Sequence, residues 1–324
     1  MKNFILLSVL CVAITTSCFA MGAIPPEATV EVVVPTVTFV RIVGSSGSGD
    51  GQFLYPRNVS AGSYTGSSGM DRIFVSDTGN NRIQVLNGDG QFLFKFGGWG
   101  NMDGQFSSPA GIAVDAHQTI FVVDKENSRV QRFSGYGTFL GSFGVFGADL
   151  GKLVEPLGVA VDNMGKVYVA DSGNNRLEKF DETGTYLDQL GGFGYGSGSF
   201  NVPSDIAIGP DRYLYVADTK NDRIQKLNEY GMSMLTFGAS GGDDGDFHSP
   251  AGVAVDDRYI YVSDTGNNRV QIFDKNGKFL MKFGSTGINA GEFNNPTGIS
   301  ISPSGLLLVA DTNNHRIQEF KISF

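Results

Sequence analysis

The sequence predicts an all-β chain folded as a closed ring of six four-stranded antiparallel blades. Three observations carry this. A short pattern, Asp-x-x-x-x-Arg, recurs six times at near-constant spacing. A glycine and then a proline follow it at fixed offsets. The last copy ends one strand short, while a matching strand stands alone near the N-terminus.

The repeated pairs are Asp77 and Arg82, Asp124 and Arg129, Asp171 and Arg176, Asp218 and Arg223, Asp264 and Arg269, and Asp311 and Arg316. The steps between aspartates are 47, 47, 47, 46 and 47 residues. Gly97, Gly144, Gly191, Gly238 and Gly284 each lie 20 residues after their Asp and follow Phe or Leu. Pro109, Pro156, Pro203, Pro250 and Pro296 lie 12 residues after each Gly. Repeats of 40–50 residues built from short strands are the signature of β-propeller blades.

Within each repeat four runs have strand character. In the second they are Ile112–Val114, Ile120–Val123, Arg129–Phe133 and Thr138–Phe143, separated by Gly, Asn, Asp and Pro. No segment shows a helical period of 3.6 residues. The sixth repeat stops after its third strand, at Phe324. The stretch from Thr38 to Gly44 matches Phe92–Gly97, and Pro56 again lies 12 residues after Gly44. Residues 37–43 are therefore expected to complete the last blade and close the ring, which removes the open edges of a partial ring. Residues 37–324 form the propeller.

Ahead of it, residues 1–20 read as an export signal: Lys2, an apolar run from Phe4 to Ile14, then small and polar residues. The run is too short to span a bilayer. Cleavage after Ala20 and lipidation at Cys18 both fit. Residues 21–36, with Pro25, Pro26 and Pro35, read as an extended tether. The chain is expected outside the cytoplasm, periplasmic, extracellular or lipid-anchored at the cell envelope, as a monomer.

The motif resembles the NHL repeat. Asp264-Thr265-Gly266-Asn267-Asn268-Arg269-Val270-Gln271 and Pro250-Ala251-Gly252-Val253-Ala254-Val255-Asp256 carry the resemblance. It implies the six-bladed propeller but no single activity. Similar propellers include RNA-binding domains of ubiquitin ligases, sensor domains of bacterial kinases, scaffolds and a peptide-amidating lyase, so function has to be argued from the site.

Composition prunes these. The two cysteines, Cys11 and Cys18, lie in the leader, which excludes RING and zinc-ribbon modules, iron–sulfur sites, disulfide scaffolds and a Cys nucleophile. The net charge is −9, and removing residues 1–20 takes away one lysine, leaving 23 basic and 33 acidic residues, or −10. That argues against a nucleic-acid partner. The lyase resemblance would imply a zinc site built from several histidines. Only His117, His248 and His315 exist, the first between strands one and two, the others on the opposite face. They cannot close one tetrahedral site. No nucleophile–base pair stands out, so no catalytic residue is assigned.

A side chain present in every blade is expected to be structural: the Asp to cap a tight turn, the Arg to tie neighbouring blades. The same holds for Phe53, Phe106, Phe200, Phe247 and Phe293, expected between blades. Function should lie where blades differ on exposed loops. We call the top the face shared by the blade-to-blade connectors and the loops between second and third strands.

Two columns vary there. Two residues after each proline stand Asn58, Gly111, Gly158, Asp205, Gly252 and Gly298. Arg57, Ser204 and Glu155 lie beside this column. They could line a polar pocket in the top mouth for a small polar ligand or a divalent ion such as Ca²⁺, held by Asn58, Glu155 and Asp205. A water-filled mouth is the competing expectation. Two residues after each connector glycine stand Ser46, Trp99, Phe146, Phe193, Ser240 and Thr286. The three consecutive aromatics, with Tyr195, could grip a protein, peptide or glycan, or each could tuck under its own loop. His248 is a further top-face candidate. The chain is thus expected to be a binding or scaffold module without a cofactor. The alternative is a metal-dependent lyase or lactonase.

Overall fold

A computed structural model describes residues 34–63 and 71–323. Twenty-four strands form six four-stranded antiparallel sheets. Blade 1 is β2 (Pro56–Ser63), β3 (Asp71–Asp77), β4 (Arg82–Asn87) and β5 (Phe92–Gly97). In blade 2, β6 (Pro109–Val114), β7 (Ile120–Asp124), β8 (Arg129–Phe133) and β9 (Phe139–Phe143) fall on the four predicted runs to within a few residues. The first strand of each blade lines the central channel and the fourth lies outermost. Blade 3 has the shortest inner strand, β10 (Val159–Val161). Single turns of 3-10 helix between second and third strands are the only helical elements among the described residues.

Closure occurs as expected. β1 (Thr36–Val43) pairs antiparallel with β24 (Arg316–Ser323), from Thr36 opposite Ser323 to Val43 opposite Ile317, with a bulge between Phe39 and Arg41. The strand starts one residue earlier than drawn and its ladder reaches Ser323. Val43 is the buried residue, while Ile42 stays exposed and Phe39 sets its ring edge-on to Phe320 at 5.9 Å. Arg41 pairs with Glu319 at 2.8 Å. Residues 1–33, which hold the signal and most of the tether, and most of the blade-1 insertion Gly62–Asp71 lie outside the described residues.

The core is divided among the seams between blades. One buried cluster joins Phe74, Ile83 and Val85 of blade 1 to Phe106, Ile112 and Phe133 of blade 2. Phe53, Phe106, Phe200, Phe247 and Phe293 are fully buried, and Leu153 takes the place in blade 3. Each such ring contributes roughly 1.5–3 kcal/mol through burial. The connector glycine exists for this ring. At Gly44, φ is +81° and an added Cβ would lie 2.3 Å from the Phe53 ring, so the chain must both turn left-handed and leave space.

Candidate functional site

The invariant pair builds the top face. Asp77 does not cap the amides of its own 3-10 turn, which corrects the expected capping role. Its Oδ1 accepts from the connector amide of Leu54 at 2.8 Å, and its Oδ2 accepts from Arg82 Nε at 2.7 Å. Arg82 Nη2 then donates to the carbonyls of Gly49 and Gln52 in the same incoming connector. Asn80 donates to Asp77 and to Gly47. Gln84 accepts from the Gly51 amide and donates to the Gln52 carbonyl and to Asp77. A buried carboxylate is thus fully hydrogen-bonded, and the connector is locked onto the blade it enters.

Seams between blades use other side chains. Thr78 Oγ1 donates to the Pro109 carbonyl of the next blade at 2.6 Å, and Ser172, Thr219, Thr265 and Thr312 repeat this bond. Asn81, in the left-handed region, accepts from the Ser108 amide. His315 plays that part at the closing seam, where its Nδ1 accepts from the Tyr55 amide at 3.0 Å and its ring stands edge-on to Tyr55. Blade 2 breaks the hydroxyl pattern. Lys125 stands in place of Thr, and its Nζ pairs with Glu126 at 2.9 Å and Glu155 at 3.4 Å.

Of the mouth candidates, the structure brings Asn58 and Asp205 together on the channel lining. Asp205 is 6% exposed and its Oδ2 accepts from the Val253 amide at 3.1 Å. Burial pushes its carboxyl up to about 7, against the pull of the Val253 and Ile206 amides and of the Arg57 charge. Burial in turn lowers the Arg57 guanidinium, while the Asp205 carboxylate opposes that. Arg57 of blade 1 and Asp205 of blade 4 thus influence each other's charge without forming an ion pair. Ser204 is spent on structure: its Oγ donates to the Ala251 carbonyl and accepts from Thr219. Glu155 is not part of this group. It is exposed, lies outside the channel lining and faces Lys125. His248 is exposed on the top, with its amide held by Asp264 Oδ1 and its ring against Gly266. Among the described residues no group of three or more His, Cys, Asp or Glu is placed to hold a metal ion.

The glycines between these residues have a packing cause. A Cβ at Gly298 would lie 2.6 Å from the Asn58 Cα, and one at Gly158 would lie 2.7 Å from the Asp205 Cα. Adjacent inner strands approach too closely for side chains at these points.

The aromatic column is open. Trp99, Phe146 and Phe193 are 78%, 76% and 65% exposed on three consecutive connectors. Tyr195 stands edge-on to Phe193 at 5.8 Å, and Met102, Val145 and Leu150 add exposed apolar surface to the same connectors. The connectors into blades 1 and 5 carry Ser, Gly and Asp instead. The connectors into blades 2, 3 and 4 thus form one apolar arc between the polar connectors into blades 1 and 5, while the connector into blade 6 exposes Ile288.

Two features were missed by sequence reasoning. Glu178 replaces the glutamine of the five other blades; the break in the Arg-x-Gln pattern at Arg176-Leu177-Glu178 is its signal. A cleft of about 650 Å³ lies on the bottom face between blades 3 and 4.

Comparison with known proteins agrees with the architecture. The NHL repeat matches residues 106–133, 153–180, 200–227, 247–273 and 293–320. Over 71 residues the chain is 37% identical to the protein brain tumor of Drosophila melanogaster; the match covers 22% of this chain and 6% of that protein. Among solved structures, a streptogramin B lyase is similar with a TM-score of 0.59 at 13% identity, over 89% of this chain and 98% of the lyase. An auxiliary nutrient binding protein from Bacteroides ovatus ATCC 8483 is similar with a TM-score of 0.63 at 14% identity, over 90% and 77% of the two chains. At such identities the likeness is one of fold. Repeat matches, blade count and the Asp–Arg–Asn lock together place this chain in the NHL-repeat family, as a six-bladed β-propeller.

Proposed function

We propose that the chain is an exported, monomeric binding module that holds a protein or peptide partner on its top face. The observation that carries this is the exposure of Trp99, Phe146 and Phe193 on three consecutive connectors, flanked by polar ones. Large rigid rings lose little entropy on contact and dominate binding energy at protein interfaces. Their spread over three blades suits an extended polypeptide more than a small molecule, and the closely packed inner strands leave little open mouth to compete. The leader fits export to the cell envelope or beyond, by cleavage after Ala20 or lipidation at Cys18.

A metal-dependent lyase or lactonase has less support. Of its three oxygen ligands, Glu155 is drawn outward by Lys125, and Asp205 already accepts from a backbone amide.

The test is selection of displayed peptides against the purified chain, followed by titration of the best binders. Trp99 is the only tryptophan, so its emission reports contact at the arc. Binding should move that emission and should weaken at least tenfold in the Trp99→Ala, Phe146→Ala, Phe193→Ala variant, read by calorimetry. Peptides that bind the triple variant equally well would overturn the reading.

A further inference from the structure

The bottom face repeats a tyrosine–aspartate pairing that blade 3 leaves open. In blade 4, Tyr215 donates its hydroxyl to Asp211 Oδ2 at 2.7 Å. In blade 5, Tyr261 donates to Asp256 Oδ2 at 2.8 Å. Tyr168 is their counterpart in blade 3. The loop before it is one residue longer than that of blade 5, with six residues from Asp162 to Tyr168 against five from Asp256 to Tyr261. Asp162 Oδ1 still accepts from the Met164 and Lys166 amides. No hydrogen bond joins it to the Tyr168 hydroxyl: the tyrosine ring is buried, and the residue borders the cleft.

That hydroxyl belongs to the wall of the cleft. Asp162, Glu229, Arg212, Tyr213 and Tyr230 line the same space. Arg212 makes no ion pair. Tyr230 is 69% exposed and offers an open ring, and Lys226 lies 4.3 Å over Tyr213. Charge is nearly balanced around the cleft, because Asp211 is matched by Lys226 at 2.8 Å. The volume falls in the range of small-molecule sites, and a hydroxyl on the cleft wall that no protein group engages is open to a ligand oxygen. A formal ion gains little from a balanced wall. A ring with apolar C–H faces and hydroxyl edges gains from every group present: ring stacking on Tyr230, donation to Asp162 or Glu229, and acceptance from Tyr168 and Arg212.

We propose that this cleft binds a neutral sugar of one or two rings, seated against Tyr230 with one of its hydroxyls bonded to the Tyr168 hydroxyl. The site is independent of the aromatic arc on the opposite face.

The experiment is saturation-transfer NMR on the mature chain. The probes are glucose, galactose, mannose, xylose, maltose, cellobiose and lactose, with gluconate and phosphate as charged controls. At least one neutral sugar should give transfer. Its binding should weaken at least tenfold in both Tyr168→Phe and Tyr230→Ala. Tyr168→Phe should fold normally, because Phe74 and Phe121 hold the same place in blades 1 and 2. The triple variant of the aromatic arc should bind the sugar unchanged, which separates failure of this site from failure of the top-face reading. The proposal is overturned if no neutral sugar binds, if only gluconate or phosphate binds, or if sugar binding survives both cleft substitutions.

Discussion

Asp171 and Glu178 share one guanidinium in blade 3: Arg176 Nε lies 2.8 Å from Asp171 Oδ2, and Arg176 Nη2 lies 2.8 Å from Glu178 Oε1. In the other blades the second partner is a glutamine that donates to the aspartate, as Gln131 does to Asp124 at 3.1 Å. A carboxylate cannot donate. Both oxygens of Glu178 are buried, and neither makes a well-aligned hydrogen bond. Burial, with the Asp171 charge adding to it against the Arg176 attraction, pushes the Glu178 carboxyl up to about 7.

A raised acid in the folded state costs stability as pH rises. Below the unfolded value of 4.5 both states are protonated and the group is silent. From there the folded state holds its proton longer, so stability falls until pH passes about 7. The loss is on the order of 3 kcal/mol. Glu178→Gln should abolish it and raise the melting temperature at pH 8 by several degrees, with little change at pH 4. Equal melting temperatures of the two proteins at pH 8 would refute this.

Asp205 titrates in the same range, so the mouth has its own signature. Arg57 holds the Asp205 carboxyl down against burial. Arg57→Met should therefore shift the Asp205 titration further up, followed by carboxyl carbon NMR. The Arg57→Met, Asp205→Asn double variant should lose the extra pH dependence that Arg57→Met introduces. An unmoved Asp205 titration would show that the two charges do not interact.

Ring closure is tested by truncation. A chain starting at Val34 keeps β1 whole and should melt close to the mature protein. A chain starting at Ser45 lacks the ladder from Thr36 to Val43 and uncovers Phe320. About five hydrogen bonds at roughly 0.5–1.5 kcal/mol each are lost, along with apolar burial. It should melt far lower and aggregate through the bare edge of β24. Matching melting curves for the two chains would contradict the strand pairing.

The closing seam also rests on His315. Its Nδ1 does for Tyr55 what Asn268 Oδ1 does for Asn295 at 2.7 Å. His315→Asn should be nearly neutral, and His315→Ala should cost about 1 kcal/mol in denaturant unfolding. A cost for Asn as large as that for Ala would assign the role to the ring contact with Tyr55 instead.

The ring was legible because each blade repeats the same lock, so Asp264 and Arg269 announce themselves through five counterparts. β1 was legible as the missing fourth strand. What escaped were effects of spacing that no single residue type advertises. The glycines at 158 and 298 read as the variable lining of a mouth, yet they mark contact between inner strands. Glu178 looked conservative beside Gln. Its difference lies in one absent donor, which matters only once both oxygens are buried. Tyr168 reads as any core aromatic: the loop of blade 4 is just as long, but its Asp211 reaches Tyr215 from the position that Met164 occupies in blade 3, and in blade 5 a loop one residue shorter brings Asp256 to Tyr261. The aromatic arc was visible as a column, but whether its rings tuck or stand open depends on connector shape.

Thr36 opposite Ser323 has a directional consequence. The Asp311–Arg316 turn puts the start of β24 on the top, so its far end and the start of β1 lie on the bottom of blade 6. Trp99, Phe146 and Phe193 lie on the other face, so β1 enters the ring on the side away from the aromatic arc. The cleft beneath blades 3 and 4 shares the face on which β1 begins, across the ring from blade 6.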